Sequence, residues 1–357
     1  MTSTKTKIVV IVPFRTGVYK DDTTLFCEGL RNYWNYDVVE VEAIVVDGKL
    51  LTREKFDQSK MIGAKLIWAP YEPLITIANY FGKKYNIPTC GHFEIIPPGL
   101  ISLDEVEVAF LNSPTPERLP KKYKEVRQQA HEWSVCPLRT HLGPFHLTET
   151  EQLLGYKVKG ELFIKPYPLD DVEMKKHVKK IKKKRQIVSI SRLVPHKKIE
   201  HVIYALSKMD NPPEYVIIGT GPKEDEIKAY AKKLGVPIRL TGRISDEEKY
   251  KIIQESIVAV HLWAWLPVGE CAFFKVPSIA YDKPSTRERL NNMPIYCLDN
   301  TLLCLRDIIN TCVNTPEVAE TLGKKAHEEL MNNRTSIYPI KEASKRLSDI
   351  FDELIKK

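Results

Sequence analysis

The chain has 357 residues, 43% hydrophobic and 28% charged, enough to bury more than one core and unlike a disordered or fibrous protein. Its longest apolar runs, 8–14 and 258–268, fall far short of the roughly 20 residues a membrane-spanning helix needs. A formal net charge of +8 points to acidic partners, and nucleotide phosphates, nucleic acid and anionic lipid all qualify.

The first predicted element is a buried strand over 7–13, Lys-Ile-Val-Val-Ile-Val-Pro, followed by strands over 38–46 and 65–69. A helix over 72–85 and a strand over 87–90 come next. Residues 112–120, Asn-Ser-Pro-Thr-Pro-Glu-Arg-Leu-Pro, are Pro-rich and predicted as a loop, and 132–169 give only weak periodicity. The run 175–185, Lys-Lys-His-Val-Lys-Lys-Ile-Lys-Lys-Lys-Arg, reads as a solvated connector between domains. It lacks the interleaved aromatic residues of a nucleic-acid patch, while docking to an anionic membrane surface stays open.

The second half alternates more clearly. Strands are predicted over 186–191, 214–219, 237–241, 257–262 and 276–281, with helices over 198–209 and 223–234. A helix starting at the capping box Ser245-Asp-Glu-Glu248, a short helix from Glu270 and three C-terminal helices complete the pattern. Alternating strands and helices imply parallel sheets covered by helices, here two doubly wound, Rossmann-like domains facing across a cleft. The expected divisions are 1–170, a basic linker 171–185, a second domain 186–338, and a helix 339–357 that packs back on the first domain. The N-terminus lacks a signal-peptide pattern, and seven cysteines without zinc-ligand spacing read as reduced core residues. Both suit a cytoplasmic protein.

Candidate chemistry lies where strands end. Ser191-Arg-Leu-Val-Pro-His-Lys-Lys198 places Arg192 and Lys197 between a strand and a helix start, a pattern fit for a diphosphate. A pair of surface cations is the plainer reading of that segment alone. Gly219 and Gly221, in Ile218-Gly-Thr-Gly-Pro222, permit close backbone approach to a ligand, or simply a tight turn. Gly242-Arg243-Ile244 offers backbone groups to a flat base with the same ambiguity. Gly269 and Glu270 precede Cys-Ala-Phe-Phe-Lys-Val-Pro, and Glu270 suits ribose hydroxyls or serves as a first-turn acid favoured by the helix dipole.

In this order and spacing these segments, over roughly 186–282, resemble the donor half of GT-B glycosyltransferases of the retaining family 4, the glycosyl transferases group 1. The resemblance implies a nucleotide-diphosphate sugar as donor, UDP- or GDP-linked, with Arg192 and Lys197 on the diphosphate and Glu270 on the ribose. Gly219–Pro222 maps onto the family's Gly-x-Gly-Pro turn, 242–244 onto residues beside the base, and 270–277 onto the carboxylate-led helix. Gly17, in Arg15-Thr-Gly-Val18, resembles the glycine turn near the donor phosphates, and His92, in Pro88-Thr-Cys-Gly-His-Phe93, the strand-end histidine beside the donor sugar. A lone histidine is also commonly structural. The family's other glutamate, eight residues before Glu270, is replaced by Leu262, which leaves the donor sugar open.

Neither domain shows Gly-x-Gly-x-x-Gly after its opening strand, a Walker A loop or an Asp-x-Asp triplet. No cofactor and no metal are expected, and nucleic acid is disfavoured as a partner. The acceptor, whether glycan, lipid or protein, is not legible. The rival readings are a nucleotide-sugar-binding or regulatory protein that lost turnover, and a nucleotide-sugar epimerase of the same fold.

Overall fold

The structure, a computed structural model, describes residues 5–13, 21–46, 49–52, 57–94, 119–332 and 335–356. The chain divides into two compact units, one of residues 1–168 and 339–357, the other of residues 169–338.

In the first unit, β1 (Thr6–Val12) leads to α1 (Asp22–Tyr33), β2 (Tyr36–Val46) and the edge strand β3 (Lys49–Thr52). Then follow β4 (Leu66–Ala69), α2 (Glu72–Tyr85), β5 (Thr89–His92), α3 (Leu119–Ser134), β6 (Leu138–His141), α4 (Pro144–Leu154) and β7 (Leu162–Ile164). The sheet order is β3-β2-β1-β4-β5-β6-β7, parallel throughout except for β3 against β2. Continuous apolar runs such as Ile8–Val12, wholly buried, are what a parallel strand covered on both faces requires.

Pro339 begins the segment that rejoins this unit, and α13 (Ile340–Ile355) turns Ala343, Leu347 and Phe351 inward against α1. Gly29 makes the approach possible, because a Cβ there would lie 2.6 Å from Ser344 Cβ. Ser344 Oγ also accepts from Trp34 Nε1 at 3.0 Å, and Phe351 meets Trp68 edge-on at 5.6 Å.

Short strands β8 (Tyr167–Leu169) and β15 (Ile337–Pro339) carry the chain across the boundary. The second unit opens with α5 (Asp171–Lys176). It continues as β9 (Gln186–Ile190), α6 (Ile199–Leu206), β10 (Glu214–Ile218), α7 (Glu224–Leu234), β11 (Ile238–Gly242), α8 (Asp246–Glu255) and β12 (Val258–Val260). After these come α9 (Leu266–Phe273), β13 (Ser278–Tyr281), α10 (Pro284–Leu290), β14 (Ile295–Cys297), α11 (Leu302–Asn314) and α12 (Pro316–Met331). Its all-parallel order, β11-β10-β9-β12-β13-β14, reverses direction between β9 and β12. Outside the carboxyl ends of those two strands is where such sheets bind ligands.

Several expectations shift. The strand expected over 87–90 runs Thr89–His92, because Asn86 ends α2 in the left-handed region and Ile87 N–H closes the helix on Gly82 O. Residues 112–118 of the expected loop lie outside the described residues, and Leu119 and Pro120 belong to the first turn of α3, where proline costs no hydrogen bond. The helix expected to open at Glu270 starts at Leu266 with Pro267 setting its first turn, so Glu270 stands one turn in. The edge strand β3 and helix α10 were not expected. The basic run 175–185 is tied to its own unit rather than free: Lys184 pairs with Glu255 at 2.7 Å, Lys183 Nζ donates to Ser256 O at 2.7 Å, and Gln254 bridges His177 O and Lys179 N–H.

Candidate functional site

In the second unit the loops after β9, β10 and β11 are laced by backbone hydrogen bonds. Ser191 N–H donates to Ile218 O and Leu193 N–H to Thr220 O, both at 3.0 Å, and Lys223 N–H returns to Leu193 O at 3.1 Å. Gly219 N–H donates to Gly242 O at 3.0 Å. The two glycines of this turn are demanded by that lacing. Gly219 has φ +138°, and a Cβ there would overlap the Ser191 carbonyl oxygen; one on Gly221 would overlap the Leu193 backbone. Their close approach is to the β9 loop. Gly269 is likewise a packing residue, since a Cβ would sit 3.0 Å from Ile337 Cγ2.

This lacing fixes the loop that bears the cations. Arg192 is exposed. Lys197, in the single 3-10 turn Pro195–Lys197 before α6, donates to Trp263 O at 2.6 Å, tying the β9 loop to the β12 loop. Burial, helped by the nearby Arg192 charge, depresses the Lys197 ammonium to about 8. Among the described residues neither cation has a carboxylate partner. His261, the residue after β12, is buried and accepts from Ile190 N–H on Nε2 at 3.2 Å, so Nδ1 carries the proton. Burial and the Lys197 charge push its pKa down to about 3, which keeps the ring neutral. Its Nδ1 and the nearby Ser191 Oγ are buried without partners.

Beyond β12 the chain presents Trp263 and Trp265, with Lys283 over the first ring at 4.5 Å and the Arg289 guanidinium over the second at 3.5 Å. Leu262, at the position of the missing acid, is 2% exposed and belongs to the core of this unit. Arg243 is exposed after β11 and Ile244 half-buried, just before the capping box that starts α8. Glu270, from α9, accepts from Lys249 Nζ of α8 at 2.7 Å. Thus the expected residues Arg192, Lys197, Gly219, Gly221 and Arg243 stand on one connected set of strand-end loops. Gly269 and Glu270 come from the next helix.

His92 is in the first unit, at the end of β5 and fully buried. Its Nδ1 lies 3.0 Å from Thr140 Oγ1 and its Nε2 3.3 Å from Glu94 Oε2, without hydrogen-bond alignment. Burial and the adjacent Lys165 ammonium lower it to about 4. It is held as a neutral, enclosed ring. Gly17 lies outside the described residues.

Lys249, His261, Trp263 and Lys165 escaped sequence reasoning. Lys249 left one signal: it stands three and four residues before Ile252 and Ile253, on the apolar stripe of its helix. Among the described residues the group with metal-ligand spacing is Cys297, Asp299 and Cys304, in the β14–α11 connection. Asp299 there already accepts from Thr301 N–H and Oγ1, and none of the candidate residues joins it. A cavity of about 510 Å³ between β14, α11 and α12 also contains none of them. No described helix is long and apolar enough to cross a membrane.

Residues 170–293 match the family model of glycosyl transferases group 1, about a third of the chain. No curated protein sequence matches. Among solved structures, sucrose-phosphate synthase from Thermosynechococcus elongatus superposes with a TM-score of 0.69 at 14% identity, over 99% of this chain and 100% of that one. HepE from Anabaena, crystallised with UDP-glucose, gives 0.67 at 13% identity over 97% and 99%. Staphylococcus aureus TarM gives 0.58 at 16% identity over 80% of this chain, which spans about half of TarM, 55%. The fold is GT-B, with two Rossmann-like domains.

Proposed function

We propose that this chain, which carries the glycosyl transferases group 1 segment on a GT-B fold, moves a sugar from a UDP- or GDP-linked donor to an acceptor. The observation that carries the reading is the pair Arg192 and Lys197. Both stand on the loop after β9, beside the point where the sheet order reverses, neither has a carboxylate partner among the described residues, and burial and the Arg192 charge depress Lys197 to about 8. A leaving diphosphate supplies an anion to pair with them, and its charge grows as the glycosidic bond breaks, so fixed cations stabilise the transition state more than the ground state. Glu270 takes the ribose hydroxyls and 242–244 the base.

In transfer with retention the acceptor hydroxyl attacks from the leaving-group face and no protein carboxylate need act as nucleophile, so Leu262 in the core at that position is compatible with turnover. The acceptor, a glycan, lipid or protein, belongs to the first unit in this reading. In the basic run, Lys175, Lys176 and Lys184 pair closely with acids of their own unit, while Lys180 and Lys182 are among the exposed cations that an anionic membrane would meet. Because Arg192 and Lys197 take the metal's usual role, turnover is expected to persist in excess chelator; loss there with recovery on adding magnesium or manganese counts against this.

The deciding experiment is a panel of UDP- and GDP-linked sugars assayed for free nucleotide. Release with at least one donor is expected, and no binding of any nucleotide sinks the reading. Tight binding without release under all acceptors supports the second reading, a nucleotide-sugar-binding protein without turnover, which the loss of an acid at Leu262 favours.

A further inference from the structure

Lys249 stands on the inward face of α8, where a lysine is unfavourable unless its charge is used. Its side chain and that of Glu270 are each 17% exposed, so this is not a solvated surface pair. The ammonium bridges two carboxylates, Asp246 of its own first turn at 2.8 Å and Glu270 of α9 at 2.7 Å, and lies 4.7 Å over the Tyr250 ring. Burial works against the charge and the Glu270 carboxylate outweighs it, holding the ammonium above its ordinary range.

The bond is to Glu270 Oε1, and Oε2 has no partner among the described residues. Since Glu270 lies beyond the first turn of α9, the helix terminus does not fix it. A bare carboxylate beside a diphosphate would also repel it; Lys249 cancels that charge while leaving lone pairs to accept.

Resting on the nucleotide-sugar reading above, we propose that Lys249 is the positioning residue of the ribose site. It fixes Glu270 so that one oxygen is held by the ammonium and the other receives the ribose hydroxyls. The chemical group recognised through it is the intact cis-diol of a ribonucleoside diphosphate.

The test titrates the parent protein and the variants Lys249→Met and Lys249→Arg with UDP and GDP, each against its 2′-deoxy form, by calorimetry. The parent should prefer the ribonucleotide about tenfold. Lys249→Met should lose about tenfold in ribonucleotide affinity while its affinity for the deoxy form stays within about twofold, and Lys249→Arg should restore the preference. Equal losses for both nucleotides, or none for either, overturn the proposal, the first leaving Lys249 as a folding residue only. A parent that binds nucleotide but ignores the 2′-hydroxyl removes the ribose role of Glu270, and with it this proposal, while leaving glycosyl transfer standing. A parent that binds no nucleotide removes both. Thermal melts of each variant identify any that fails to fold, and Glu270→Gln then repeats the comparison with the same expected loss of ribonucleotide preference.

Discussion

At the carboxyl edge of the first sheet Lys165 is wholly buried, 2.7 Å from Asp22, between the rings of Tyr71 and Tyr167 at 5.6 and 5.2 Å. Burial alone would depress this ammonium, yet Asp22 and Glu94 hold it above its ordinary range. At the carboxyl edge of the second sheet Lys197 is half-buried with only a carbonyl for a partner, and its ammonium is depressed to about 8. The same residue type at equivalent ends of parallel sheets thus meets opposite fields. An internal counterion makes a lysine part of the fold, whereas its absence leaves a charge that a bound anion can stabilise.

The comparison breaks first at Lys165. Lys165→Met leaves Asp22 without its partner and should cost about 3–5 kcal/mol of stability, read by denaturant unfolding. A loss under about 1 kcal/mol makes the pair a dispensable surface contact. Next, Arg192→Ala and Lys197→Ala should each leave the melting temperature nearly unchanged and lower turnover several hundred-fold, about 3 kcal/mol of transition-state stabilisation. Near-normal rates in either variant erase the contrast between the two edges.

A smaller effect is expected at Gly219→Ala, which forces a Cβ into the Ser191 carbonyl at a φ of +138°. A cost of about 1–3 kcal/mol should appear in unfolding, with turnover reduced because Arg192 rides on the displaced loop. Unchanged stability shows that the β9 and β10 loops are not interlocked.

The mildest effect is one of pH. The folded Lys197 value is depressed below the ordinary 10.5, so its buried charge opposes stability below about pH 8 and that cost is relieved as pH rises from 8 toward 10.5. A bound diphosphate reverses the preference by holding the proton on. Nucleoside-diphosphate affinity should therefore fall between pH 8 and 9, by up to about tenfold, with proton uptake on binding. Calorimetry in buffers of differing ionisation enthalpy reads both, and Lys197→Arg should flatten the profile.

The second unit was the more legible half. Its strands alternate regularly with amphipathic helices, and its capping box, Ser245 with Glu248, forms as written because both partners lie within one turn. The first unit blurs after residue 132, where β6 is Leu138–His141, four residues of which three are polar and all are buried. Four residues contain too few periods to separate strand from loop. Similarly, Pro267 moved the start of α9 ahead of Glu270, an effect of local φ that a pattern led by the carboxylate overlooked.

The sequence alone determined the two parallel sheets, since buried strands and amphipathic helices alternate, and it determined which residues stand at the strand ends, since order along the chain dictates that. Tertiary structure decided what each of those residues faces. Gly219 and Gly221 serve the neighbouring loop, His92 is enclosed by Thr140 and Glu94, and Glu270 meets Lys249, a residue 21 positions away. Periodicity encodes burial along one element, whereas a counterion on another element is fixed only once both have packed.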